Sequence, residues 1–158
     1  MKRSLMRHGA IVAGLLGVLL WAHHRPYIEG ESYSASTRYL LRDGSEVTGT
    51  DRLTITHDQL TYTATENWDG HVRNTRITGS VSYANRWELR WRITDLRDSD
   101  PSRDALLMLV GEDLFLGRQV AQQPGVVLRV RFVPSGSDRV LCFYFEATDR
   151  FRCLSQVM

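Results

Sequence analysis

Short segments in which apolar and polar residues alternate dominate the chain from Tyr33 onward. Such alternation is typical of β-strands with one buried and one solvated face. Turn residues such as Asp43-Gly44 and Asp69-Gly70 separate the segments. The predicted strands are Tyr33–Leu41, Thr50–Thr56, Leu60–Glu66, His71–Tyr83, Arg86–Thr94, Val126–Val133, Val140–Ala147 and Phe151–Val157.

One region interrupts this pattern. Leu96–Pro101 is expected to end a strand, and Asp100 followed by Pro101 is typical of a helix start, which predicts a short helix ending near Gly111. Asp113–Val120 then fits either a continuation of that helix or an edge strand, and the alternation of Leu114 and Leu116 favours the strand. Because most connections are only two to six residues long, neighbouring strands should be antiparallel. We therefore expect a mainly β fold, either a curled antiparallel sheet or a small barrel, with one short helix. Gly79, inside its strand, predicts a bulge or bend.

The N-terminus carries an uncharged run, Gly9–Ala22, behind Lys2, Arg3 and Arg7. Basic residues before an apolar run are typical of a membrane-targeting segment. The run alone has signal-peptide length, but a helix extended to His24 would have about the 20 residues that a span needs. The sequence around Ala22 is a poor cleavage site, so an uncleaved anchor is favoured over a removed signal peptide. We predict an anchor with its cytoplasmic tip over 1–24, a linker over 25–32 and one periplasmic β domain over 33–158.

The charge distribution supports this orientation and argues against nucleic-acid binding. The basic residues concentrated at the N-terminus indicate a cytoplasmic N-terminus and a single-pass orientation that places the rest of the chain in a periplasm-like space. Four of the 20 basic residues lie in or beside the anchor, at positions 2, 3, 7 and 25. The exported part therefore has 16 basic and 18 acidic residues, a net charge of −2. A mildly acidic domain does not suit binding to a phosphate backbone.

Cys142 and Cys153 are the two cysteines, and both lie in the predicted exported part. In an oxidising compartment, two cysteines this close to one chain end favour a disulfide. If residues 146–149 form a four-residue loop, Phe145 opposes Arg150, and Cys142 then lies directly opposite Cys153. A cross-strand disulfide is predicted on this register.

The Arg86–Thr94 segment supplies the candidate binding face. Its alternation predicts that four apolar side chains share one side, and two of them are tryptophans. An indole offers a broad apolar surface and one N–H, so this face can be either ordinary core or the lining of a cavity for an amphipathic ligand. The candidate ligand-binding residues are Trp87, Leu89, Trp91 and Ile93.

Catalytic motifs are not apparent, and no cofactor or metal site is predicted. The chain lacks a GxSxG elbow, an HExxH motif and a phosphate-binding loop. The aspartates at positions 95, 98, 100 and 104 resemble a calcium loop only loosely, because they lack its glycine and its closing glutamate. The chain is therefore predicted to be a binding protein and not an enzyme.

The whole organisation resembles the small membrane-anchored partners of ToxR-type transcription regulators, namely ToxS, VtrC and the FidL-like proteins. The resemblance lies in the short N-terminal span, about 130 exported residues, the mainly β pattern and the cysteine near the C-terminus. The stretch GTDRLTITHDQLTY…NTRITGSVSYANRWELRWRITDLRDSD resembles the FidL-like pattern of a hairpin and a strand leading to an aspartate-rich loop. The resemblance implies a lipocalin-like barrel that pairs with the periplasmic domain of a one-span regulator and stabilises that regulator. In some pairs of this family the two proteins share a bile-salt site.

Two functions are compatible with these observations. The first is a non-enzymatic accessory subunit that completes a sheet with a ToxR-like regulator and senses an amphipathic ligand such as a bile salt. The second is an autonomous lipocalin-like binding or assembly module of the cell envelope that takes up a hydrophobic ligand.

Overall fold

An N-terminal helix precedes the β domain. The computed structural model describes residues 2–23, 25–40, 44–68, 70–98, 124–137, 139–146 and 150–158. Helix α1 spans Lys2–His23, and the large aliphatic side chains along its apolar run are exposed. Within these ranges, no helix is both long and apolar enough to cross a membrane. The predicted transmembrane anchor over residues 1–24 is therefore not supported.

Eight antiparallel strands follow and close into a barrel in sequence order, with β1 and β8 joining at the end. This confirms the barrel alternative of the sequence prediction. Short turns join most neighbouring strands, as at the two-residue His57-Asp58 turn between β2 and β3. β5 and β6 also pair, although the chain between Asp98 and Val127 is long. The strands are β1 Ser32–Leu40, β2 Glu46–Thr56, β3 Gln59–Trp68, β4 His71–Ala84, β5 Glu88–Asp98, β6 Val127–Val133, β7 Val140–Phe145 and β8 Arg150–Gln156.

One sequence prediction about the region after β5 is wrong, and two others concern residues that the structure does not describe. The expected break at Leu96 is wrong, because β5 continues to Asp98 and pairs with β4 as far as Thr75. Pairing with an established neighbour extends a strand past the point at which its own alternation fades. The predicted short helix after Asp100 and the segment Asp113–Val120 lie outside the described residues.

The two ends of the barrel differ in their interiors. The α1 end, where β1 begins and β8 finishes, has an apolar interior that includes Ile55, Leu60 and Phe132. Residues 25–31 form no regular element, yet Tyr27 is buried there and its ring lies 5.9 Å from that of Phe132. The Gly30 amide also donates to the Ile55 carbonyl at 2.8 Å. The segment predicted as a linker therefore closes this end. The distal half, where β1 finishes and β8 begins, buries several polar side chains beside apolar ones such as Val47 and Phe145.

Gly79 marks an irregularity in β4. The β4–β5 register shifts between Thr78 and Gly79, which confirms the predicted bulge. A Cβ at Gly79 would overlap the Trp91 indole and the Arg92 carbonyl oxygen, so glycine lets β4 pass directly over the largest buried side chain.

The C-terminal hairpin is covalently closed. Phe145 pairs with Arg150 and Cys142 pairs with Cys153, as the sequence predicts. The two cysteines form a disulfide with 4.0 Å between their Cα atoms. The bond fixes β7 against β8, the strand that must meet β1 to close the barrel.

Gly79→Ala should destabilise the domain by about 3 kcal/mol, because the new methyl group collides with backbone and with a packed indole. Urea unfolding followed by far-UV circular dichroism measures this loss. Gly49→Ala is the matched control on β2, since its nearest contact is the Thr37 hydroxyl, which can rotate away. An equal loss in both variants would contradict a collision specific to Gly79.

Candidate functional site

The predicted binding face does not remain together in the fold. Leu89, Trp91 and Ile93 point into the barrel and are no more than 1% exposed. Trp87, by contrast, is 46% exposed and precedes β5. The expectation that it shares the inner face is wrong.

A side-chain cap explains the position of Trp87. The Asn85 Oδ1 atom accepts hydrogen bonds from the Trp87 and Glu88 amides, at 2.8 and 2.7 Å. This arrangement makes a tight turn between β4 and β5. The inward–outward alternation of β5 therefore starts only at Glu88, and Trp87 stays outside.

The core around Leu89 is filled. The space beside it measures about 10 Å³, enough for one water molecule. It is lined by Leu53, Ile55, Leu60, Leu89, Val130, Phe132, Phe143 and Phe145. A bile-salt-sized molecule does not fit this space. Ligand binding at the predicted face stays a prediction, and it requires the barrel to open.

Trp91→Ala should cost about 3–5 kcal/mol of unfolding free energy, because it leaves a large cavity in a packed core. Trp87→Ala should cost less than about 1 kcal/mol, since nearly half of that side chain is in solvent. Chemical denaturation of the two variants measures the difference. If Trp91→Ala instead weakened binding of a hydrophobic probe and left stability unchanged, the residue would line a binding cavity.

A buried polar cluster occupies the distal half of the barrel. Asp51, Glu66, Arg73 and Thr75 are each at most 5% exposed. Strand register places them together, because Glu66 is directly opposite Arg73 and Ala64 lies between Asp51 and Thr75 on the neighbouring strands. The Thr75 Oγ1 atom has no hydrogen-bond partner among the described residues. Buried groups of this kind need electrostatic compensation.

Arg152 of β8 supplies part of that compensation. Its Nε atom lies 3.6 Å from the Asp51 Oδ2 atom, and both side chains are largely buried. Burial raises the pKa of Asp51, while hydrogen bonding from Tyr62 and the charge of Arg152 act in the opposite direction. The Asp51–Arg152 pair therefore connects β8 to β2 across the inside of β1.

This raised pKa has a consequence for stability. A carboxyl group that is harder to ionise in the folded state favours folding at low pH, and the contribution is lost as pH rises through the folded pKa. Asp51→Asn cannot ionise, so its unfolding free energy relative to wild type should increase from pH 4 to pH 8. Urea unfolding across this range measures the effect.

Glu46→Gln provides a control of opposite sign. Hydrogen bonding from Arg38 lowers the pKa of Glu46, so this residue stabilises the fold at higher pH and the contribution is lost on acidification. The unfolding free energy of Glu46→Gln relative to wild type should fall as pH rises. If Asp51→Asn followed the same trend, burial would not dominate the ionisation of Asp51.

The barrel closes through very little backbone pairing. Only Tyr33–Gln156 and Ser34–Ser155 pair between β1 and β8, together with a hydrogen bond from the Val157 amide to the Ser32 carbonyl. In the described chain, no pair joins Ala35–Arg38 to Phe151–Leu154. We call the space between these two segments the seam.

Alternation shows which backbone groups face the seam. Since the Ser32 carbonyl is bonded to β8, every second residue of β1 directs its amide and carbonyl to the same side. Ser36 and Arg38 therefore present their backbone groups to the seam, while β2 pairs with the other edge of β1.

A polar groove lies on the outer surface beside the seam. Its volume is about 410 Å³, and an ion pair between Arg38 and Glu46 lies next to it. Hydroxyl and amide groups dominate its lining, which consists of Ser36, Thr37, Arg38, Thr48, Gly49, Thr50, Thr65 and Asn67. This lining can hydrogen-bond to polar side chains of a segment that lies along β1.

Sequence reasoning missed the seam and the polar cluster. The cluster had a detectable signal, because Asp51 lies in phase with Leu53 and Ile55, and Glu66 lies in phase with Tyr62 and Ala64. Continuing the inward pattern through these charged residues would have placed both inside. The seam has no comparable signal, since it depends on how strands distant in sequence meet.

Comparison of this chain with known proteins gives no family assignment. Neither a protein-family model nor a curated protein matches this chain. Among the described residues, no group of three or more His, Cys, Asp or Glu side chains could hold a metal ion.

Proposed function

We propose that this chain is a non-enzymatic accessory subunit that binds the periplasmic domain of a ToxR-like one-span regulator and stabilises it. The observation that carries the proposal is the seam. A strand edge with open amides and carbonyls is a template for an extended segment of another chain, and main-chain hydrogen bonds supply the affinity.

The chemistry of the seam suits one added strand. Backbone groups of Ser36 and Arg38 face it from β1, and Phe151 on β8 is half exposed beside it. Outward side chains of an added strand would meet Phe151 and the polar groove. Inward side chains would meet Arg152, whose partner Asp51 lies on the far side of β1.

The disulfide supports an oxidising compartment. Bonds of this type persist in the periplasm and are rare in the cytosol. The periplasmic placement in a bacterial inner membrane is proposed on this basis together with the basic N-terminal flank.

The filled core favours partner binding over the alternative of an autonomous carrier. A carrier needs a cavity of several hundred Å³, whereas the interior space beside Leu89 is about 10 Å³. A bile-salt-like ligand would therefore need space that forms when a partner strand enters the seam and separates β8 from β1.

Ser36→Pro tests the proposal because it removes one backbone donor that faces the seam and leaves the β1–β2 ladder in place. Tagged full-length chain should co-purify from host membranes with a winged-helix protein that has one transmembrane span. Ser36→Pro should lower recovery of that protein at least tenfold, and the regulator should be degraded faster in cells that carry the variant.

Ser36→Ala is the matched control, because it keeps the amide and removes only the hydroxyl group. It should retain wild-type recovery, and circular dichroism should show that both variants fold. Equal recovery with both variants would exclude the seam as the binding element. A regulator of unchanged lifetime in cells without this chain would refute the proposed function itself.

A further inference from the structure

The α1 end of the barrel exposes apolar side chains around the Tyr27 closure. Ile28, Trp87 and Val133 are between 39% and 49% exposed there. The Phe132 amide donates to the Trp87 carbonyl at 2.8 Å, so Trp87 is held next to the ring on which Tyr27 packs. This end is therefore a surface of fixed shape with several apolar groups in solvent.

Helix α1 is held close to this surface by a short connection. The helix ends at His23, and Tyr27 is already buried in the barrel. Four residue steps span at most about 14 Å even when fully extended. The C-terminal end of α1 must therefore lie within about 14 Å of the point where Tyr27 enters the barrel.

The surface of α1 indicates what it binds. No charged residue occurs between Gly9 and Ala22. The large aliphatic side chains of this run are 54–73% exposed and spread around the helix without forming one narrow stripe. A narrow stripe suits a protein groove, whereas an apolar surface without a charged face suits lipid. The basic residues at positions 2, 3, 7 and 25 flank the run and favour contact with anionic headgroups.

Trp87 has the properties of an interfacial anchor. Tryptophan is enriched where hydrocarbon meets headgroups, because its ring is apolar and its N–H is polar. The Asn85 cap fixes the turn that carries it. The Arg86 guanidinium lies 5.5 Å from the Trp87 ring centre and adds a cation at the same level.

We propose that the α1 end of the barrel docks on the lipid surface into which α1 inserts its apolar side chains, with Trp87 and Ile28 as the contacting residues. This site is separate from the seam, and it requires no partner protein. The distal end of the barrel then points away from the lipid.

The test uses the full chain bound to vesicles of phosphatidylcholine and phosphatidylglycerol that contain a lipid spin-labelled near the headgroup. Tryptophan fluorescence is recorded in wild type, in Trp87→Phe, and in Trp87→Phe carrying Val72→Trp. Val72 is exposed at the start of β4, at the distal end. The Trp87 signal, obtained as the difference between wild type and Trp87→Phe, should be quenched at least threefold more strongly than that of the tryptophan at Val72.

The remaining outcomes contradict the proposal in distinct ways. Equal quenching at both positions would mean that the barrel lies on its side or has no fixed orientation. An unquenched Trp87 in vesicle-bound protein would mean that α1 binds lipid while this barrel end stays free for a protein. Failure of the chain to bind vesicles at all would overturn the lipid assignment of α1. None of these outcomes depends on a regulator, so the proposed partner function is tested independently.

Discussion

Closure of the barrel depends on the junction of β1 with β8, where two register pairs and one further hydrogen bond complete the sheet. Every other neighbouring pair of strands has at least four register pairs. Beyond Ser34, the buried Arg152–Asp51 ion pair holds β8 to β2 from inside the barrel. A buried ion pair costs desolvation energy and adds little net stability, but removing one partner is strongly destabilising. The junction is therefore closed by backbone pairing at one end and by this ion pair at the other.

This asymmetry coincides with the chemistry of the interior. Apolar side chains and Tyr27 fill the α1 end, so closure there gains from burying hydrocarbon. The buried polar residues Asp51, Glu66, Arg73 and Thr75 lie in the distal half, and their burial gives no such gain. A partner strand that brings hydrogen bonds to the seam would compensate polar groups that the isolated barrel compensates only in part.

The sequence predicts the strands well because alternation is a local property. Each hairpin turn is also local, and the Cys142–Cys153 register follows from counting residues around one loop. The sequence pattern places Trp87 inside the barrel, because Trp87 continues the apolar alternation of β5. In the structure the Asn85 cap makes a turn at this point, so the alternation begins only at Glu88 and Trp87 stays outside. The buried charged residues do not stand out in the sequence, because a charged residue in an alternating strand is usually exposed, whereas paired charges can be buried. The seam depends on the meeting of the first and last strands, so no single segment encodes it.

The geometry limits which partners can reach the seam from the same membrane. Ser36 lies four residues beyond Ser32 along β1, a rise of about 13 Å. If the α1 end rests on lipid, a docking segment at Ser36 lies roughly 13 Å above it, which takes about four extended residues to reach. A regulator whose paired strand begins directly after its own span could not reach the seam unless the barrel tilted toward the lipid. Lipid contact at one end and strand pairing at the other would therefore act together to select a partner by the length of its juxtamembrane segment.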